Sequence, residues 1–417
     1  MKNDYISEIH EKDKLVLHPY EDLKDRGTYN RKLIVKSDNI YLYDENGKRY
    51  IDGPGGMWCN NIGHGNKEIA EAIKNQIETM DYCSPFSESS EKAAELASVL
   101  SELSPGDLNT VFFTPDGSSA NETALRFMML YNNILGRPEK KHIISRDQAY
   151  HGSTYLTASI TGKDREKNNF DFESTFIHHV GSPNPYRRKD NQTVDDFCDE
   201  KVKEFEDKIL EIGPNKVAAY IAEPVLASGG CIVPPKNYIK RFWEICKKHD
   251  ILYISDEVVT GFGRLGHFFC SQEEFGIIPD IITSAKGITS GYIPLGAVLI
   301  SDRLMKSISK DSSLFFHGFT YSGHPVSCAA ALKNIEIIKR DKILDHVKNI
   351  APYFHPSRPA RVPICHCLTI CLSDWIHYRC VYRFLACYNQ DEHVSARSLV
   401  PNLSRSTILR QSFESSC

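Results

Sequence analysis

A chain of 417 residues, 41% hydrophobic and 25% charged, can bury a large core and has the composition of an ordinary globular protein. Its 50 Lys and Arg stand against 54 Asp and Glu, a formal charge of −4, which gives no electrostatic basis for holding nucleic acid or an anionic membrane. The opening MKNDYISEIHEKDK carries no apolar run of the secretory kind. No stretch reaches the ~18 apolar residues that a membrane span needs, so a cytoplasmic location is expected.

The segment KLIVKSDNIYLYDENGKRYIDG reads as a β-meander. Ile40 and Leu42 alternate into a turn at Asp44-Glu45-Asn46-Gly47, and a second strand follows around Tyr50-Ile51. Residues 66–80 and 90–104 have helical spacing, with Ser89 and Ser90 as candidate caps. From about residue 110 a βα rhythm begins. Apolar runs at Thr110–Phe113, His142–Ser145, Val217–Ala222, Leu252–Ser255 and Ile281–Ser284 alternate with helical stretches at 120–133, 198–212 and 236–249. This pattern predicts an α/β fold with a mainly parallel, doubly wound sheet, which takes ligands at the carboxyl ends of its strands.

Composition changes after about Ile350. Residues 351–417 contain no glycine and no lysine, whereas all 25 glycines lie before them. Of 13 cysteines, Cys59, Cys83, Cys198, Cys231, Cys246, Cys270 and Cys328 are scattered and expected to be reduced and buried. The other six crowd into the end of the chain.

The distinctive residues stand at the predicted strand ends. Thr114-Pro115-Asp116-Gly117-Ser118 leads from a strand into a helix, where the amides of Gly117 and Ser118 would bind a phosphate. A Gly-Ser turn is alone no more than a helix cap. Tyr150-His151-Gly152 follows the next strand, and an aromatic there can stack on a planar ring or simply fill core. Asp256-Glu257 terminates Leu252–Ser255, and a buried acid needs a partner, either a structural one or a protonated ring nitrogen. Lys286 follows Ile281–Ser284, with Gly287 and Gly291 allowing a close backbone turn, so its amine can form a Schiff base if desolvated. Each signal is weak alone; in this order they describe one cofactor site.

The stretches GMWCNNIGHG, ISDEVVTGFGRLGHFF, PDIITSAKGITSGYIPLGAVLIS and HGFTYSGHPVSCAAAL resemble the class-III pyridoxal-phosphate-dependent aminotransferases, or ω-aminotransferases. The resemblance covers roughly residues 25–350. It implies fold type I, with a large domain over 61–325 and a small domain built from residues 1–60 and from a C-terminal part starting at 326–350. It implies pyridoxal 5'-phosphate as cofactor, Lys286 as its Schiff-base lysine and Asp256 as partner of its ring nitrogen. Val258 and Tyr150, with His151 beside the latter, match the residues that pack on the ring. Gly117 and Ser118 match the phosphate turn, Glu223 a glutamate near the substrate, and Trp58 the substrate pocket. Thr320 matches a threonine that reaches the phosphate of a neighbouring subunit, which implies a homodimer with shared sites. The implied reaction is ping-pong transfer of an amino group from an ω-amino acid or amine to a keto acid such as pyruvate. A lyase acting on an amino-alcohol phosphate, or an impaired family member, are the alternatives.

The resemblance stops where the composition changes. The family continues with a glycine-rich small domain that supplies a carboxylate-binding arginine, and Arg397, Arg405 and Arg410 align with no such motif. Cys365-His366-Cys367 and Cys371 do not have paired zinc-site spacing. A departure from the ancestral reading frame or exon near residue 350 is the favoured reading of 351–417, ahead of a metal site or a divergent domain. A poorly ordered tail is its expected consequence.

Overall fold

The computed structural model of the chain describes residues 2–309 and 314–354. The cysteine-rich stretch from Cys365, and Arg397, Arg405 and Arg410, lie outside the described residues. No described helix is long and apolar enough to cross a membrane.

The predicted meander forms as a separate three-stranded antiparallel sheet, β1 (Ile34–Asp38), β2 (Tyr41–Asp44) and β3 (Arg49–Ile51). Its hairpin is held by Asp44, whose carboxylate accepts from the amides of Asn46 and Lys48 and from the Tyr50 hydroxyl. Gly47 at φ 80° supplies the left-handed residue that this turn needs.

Seven further strands make the main sheet: β4 (Thr110–Thr114), β5 (His142–Arg146), β6 (Ile177–Val180), β7 (Val217–Ala222), β8 (Leu252–Asp256), β9 (Ile281–Ser284) and β10 (Gly296–Ile300). Their spatial order is β4-β10-β9-β8-β7-β5-β6. All pairs are parallel except those of β10, which runs antiparallel to both β4 and β9. Two reversals restore direction, so β4 ends on the same edge as β9, β8, β7 and β5.

Both faces of the sheet are covered, which is why its central strands read as continuous apolar runs. Successive side chains alternate between faces. Ile143, Ala219, Ile221 and Ile254 pack with the helix Gly117–Ile134 through Ala120, Ala124, Leu125 and Met128. Their neighbours Ile144, Tyr220 and Tyr253 pack with Phe205 and Phe242 of the helices Val194–Ile212 and Tyr238–Lys248, whose rings stack at 4.2 Å between centroids.

The predicted helices form at Lys67–Thr79 and Glu91–Leu103. Ser90 caps the second by accepting from the amide of Ala93 at 3.1 Å. β6, β10 and the helix Pro325–Arg340 were not expected as elements. β6 carries two histidines at the sheet edge, and β10 is a five-residue run opened by a glycine; neither has a strong periodic signal. Of the seven described cysteines, only Cys198, Cys246, Cys270 and Cys328 are buried. The expectation of burial fails for Cys59, Cys83 and Cys231, which sit on loops at intermediate exposure.

Asn66 caps Lys67–Thr79 with one side-chain oxygen, which accepts from the amides of Glu68 and Ile69 at 2.9 and 3.2 Å. Asn66→Ala is expected to lower unfolding stability by about 1 kcal/mol, read as a shifted denaturant midpoint at unchanged slope.

Candidate active site

Five strand ends meet at one cavity of about 700 Å3. Gly117 and Ser118 follow β4, Tyr150 and His151 follow β5, and Glu223 follows β7. Asp256 ends β8 and Lys286 follows β9. All seven line the cavity, with Val258 and Trp58. Of the residues expected in the site, Thr320 alone does not line it. Thr320 is exposed on a turn, where its carbonyl accepts from the Tyr82 hydroxyl at 3.0 Å.

Asp256 is 4% exposed, and a carboxylate so deep is costly without donors. Asn121 Nδ2 and His151 Nδ1 both lie 2.8 Å from Oδ2, and the Val258 amide donates to Oδ1 at 3.1 Å. The same Asn121 amide donates to the carbonyl of His151, while its Oδ1 accepts from Thr283 Oγ1 at 2.6 Å. Asn121 therefore joins the helix after β4, the loop after β5 and the ends of β8 and β9. Sequence reasoning gave it no role. The available signal was spacing: four residues after Gly117, it stands one helical turn up on the same face.

Glu257 does something different, because the next residue along a strand faces the other way. Its carboxylate accepts from the amides of Cys270 and Ser271 at 2.7 and 3.1 Å and from the Ser271 hydroxyl. It anchors the loop after β8 and does not line the cavity. Burial raises its pKa, opposed by those hydrogen bonds. Glu223 is also raised, chiefly by burial, and accepts from the amides of Tyr150 and Ala227 at 3.0 and 3.1 Å. It thereby fixes the backbone that carries Tyr150.

Lys286 adopts φ 48°, a left-handed conformation that costs a non-glycine residue about 1 kcal/mol. Tertiary contacts impose it. Asn334 Nδ2 donates to the carbonyls of Gly287 and Ile288 at 2.9 and 3.0 Å. A Cβ on Gly287 would come within 2.5 Å of Asn61 Nδ2 and 3.0 Å of Phe262 Cβ, so a larger residue in this turn would have to displace the Asn61 side chain. Trp58 is likewise held left-handed at φ 58°.

The donor set fits pyridoxal phosphate. Asp256 lines the cavity and its Oδ1 has one amide donor, so a protonated ring nitrogen would add a partner to it. The helix starting at Gly117 presents its first-turn amides, and Asp116 caps it through the Ser119 amide at 2.8 Å; such an end holds a phosphate. Val258 packs on Gly117 so closely that a Cβ there would lie 2.9 Å from Val258 Cγ1. Among the described residues, Lys286 and Lys163 bring primary amines to the cavity.

The sequence model of the aminotransferase class-III family matches residues 25–357. The chain is 40% identical over 339 residues to the putrescine–pyruvate aminotransferase of Pseudomonas aeruginosa, covering 81% of this chain and 74% of that protein. It is 42% identical to the chloroplastic gamma aminobutyrate transaminase 3 of Solanum lycopersicum, covering 77% of this chain and 63% of that one. Among solved structures, an (S)-enantioselective omega-transaminase from Thermomicrobium roseum superposes with a TM-score of 0.81 at 39% identity, over 83% of this chain and 78% of that one. The omega transaminase of Pseudomonas jessenii in complex with PMP gives 0.81 at 38% identity, over 84% and 78%.

Asn121→Ala leaves Asp256 and Thr283 each short of a partner in a buried network. A loss of about 1–3 kcal/mol in unfolding stability is expected, together with weaker binding of pyridoxal phosphate in a fluorescence titration.

Proposed function

Because the chain belongs to the class-III aminotransferase family, whose chemistry depends on pyridoxal phosphate, we propose that it transfers the amino group of an ω-amino acid or primary amine to a keto acid such as pyruvate, with Lys286 as the catalytic lysine. The observation that carries this reading is the shared cavity of Lys286, Asp256 and the helix start at Gly117. The named reactions of the bacterial and tomato relatives agree with it.

Bound pyridoxal phosphate supplies an aldehyde for an amine and a ring that withdraws electrons from the carbon bearing that amine. The chain's residues do the rest. Asp256 would hold a protonated ring nitrogen, and the His151 and Asn121 bonds to Oδ2 fix its carboxylate in place. Val258 and Tyr150 would pack on the flat ring, and Gly117 and Ser118 would hold the phosphate. Lys286, which lines the same cavity, would take the proton from the donor carbon on its Nζ as base and give it up again as acid. With a keto acid as acceptor, the same amine would move the proton in the opposite direction.

The same reading includes a cytoplasmic homodimer. Support lies around Thr320, where Phe86, Phe316 and Tyr321 are 71%, 84% and 60% exposed. Large apolar side chains in such a patch call for a covering partner, and a second copy would bring Thr320 to the other copy's Gly117 turn.

Purified protein loaded with pyridoxal phosphate should show a visible absorption band that β-alanine bleaches and pyruvate restores, with no net turnover in the absence of a keto acid. Lys286→Ala should abolish the cycle. Sustained release of phosphate from an amino-alcohol phosphate without any acceptor would identify a lyase instead.

A further inference from the structure

The outer part of the cavity carries a charged cluster to which the reading above gives no task. Tyr20, Lys163, Arg165 and Glu166 line it, with Ser228 beside them. The Lys163 side chain is 10% exposed and that of Glu166 16%, while Arg165 at 85% reaches into solvent. Lys163 Nζ donates to Ser228 Oγ at 2.9 Å and lies 3.4 Å from Glu166 Oε1. It also stands 5.2 Å over the ring of Tyr150. The Tyr20 hydroxyl donates to the other Glu166 oxygen at 3.1 Å, and Arg165 Nη2 is 3.9 Å from Oε1.

Two cations and one carboxylate leave this end of the cavity with an excess positive charge. The Glu166 carboxylate is occupied on both oxygens, so it has little capacity left for a further cation. A nearly buried ammonium, by contrast, binds an arriving carboxylate strongly because little water screens the pair. Lys286 and this cluster line one cavity, so a donor whose amine is at Lys286 shares its cavity with these charges. An ammonium there meets net repulsion; a carboxylate meets two donors.

We propose that Lys163, with Arg165, selects donors that carry a carboxylate at the end remote from the reacting amine, and that Glu166, steadied by Tyr20, is the internal carboxylate the substrate displaces from Lys163. This rests on the aminotransferase reading and narrows its donors to ω-amino acids over diamines.

The test compares three donors of one length on the cofactor-loaded protein: 4-aminobutanoate, butylamine and 1,4-diaminobutane. Lys163→Gln should raise KM for 4-aminobutanoate relative to butylamine by about tenfold or more, the loss expected for one charged hydrogen bond, with kcat changed far less. Lys163→Arg should restore the ratio. Glu166→Gln should move it the other way, by removing the competitor. An unchanged ratio in Lys163→Gln overturns the proposal, as does a selective loss of 1,4-diaminobutane in Glu166→Gln, which would make Glu166 the recognition group. Calorimetric titration with butanoate, which has the carboxylate and no amine, decides independently of turnover. Binding about tenfold weaker in Lys163→Gln is expected, and equal binding overturns the proposal even if the wild-type protein reacts with no donor. Failure of all three donors in the wild type would count against the aminotransferase reading itself.

Discussion

A carboxylate at the closed end of a buried strand must be given donors, and Asp256 collects them from three separate segments. Asn121 reaches it from the helix after β4, His151 from the loop after β5, and the Val258 amide from its own turn. The arrangement is demanding, because each donor is useful only if the sheet brings its segment to the same edge. It also leaves Oδ1 of this cavity-lining residue with capacity for another donor. Burial, which makes the acid expensive, is the same property that would make it effective toward a cationic ring nitrogen.

The sheet topology meets that demand. β10 is reversed against both of its neighbours, and this lets β4 and its helix start point the same way as the parallel strands. The lysine turn after β9 is then held by contacts from far along the chain, among them Asn334 on the helix Pro325–Arg340 and Asn61 from the N-terminal part. The lysine's left-handed backbone is thus an outcome of packing, and side chains on both sides of it resist relaxation. Lys286, Asp256 and the Gly117 turn come from strand ends that are distant in sequence and fixed relative to each other by the same core.

Much of this was legible in the sequence where one residue type carries the physics. Val217–Ala222 and Leu252–Ser255 read as strands because both faces are buried, and an acid or lysine at such an end stands out against apolar neighbours. Asn121 and Thr283 did not stand out, since uncharged polar residues are common and their role appears only through partners 135 and 162 residues apart in sequence. The pairing of Tyr20 with Glu166 spans 146 residues and was equally invisible. Asp256 and Glu257 looked like a pair, yet strand alternation sends one to the cavity and the other to a loop anchor. β6 escaped because His178 and His179 at a sheet edge break the apolar pattern that marks the central strands.

The central claim is that Lys286 is the residue that binds the cofactor covalently. Borohydride reduction of the protein loaded with pyridoxal phosphate, followed by proteolysis and peptide mass spectrometry, addresses it directly. The account predicts a single phosphopyridoxyl adduct on the peptide containing Lys286. An adduct on Lys163 in its place, or none at Lys286 when the protein is saturated with cofactor, would contradict it.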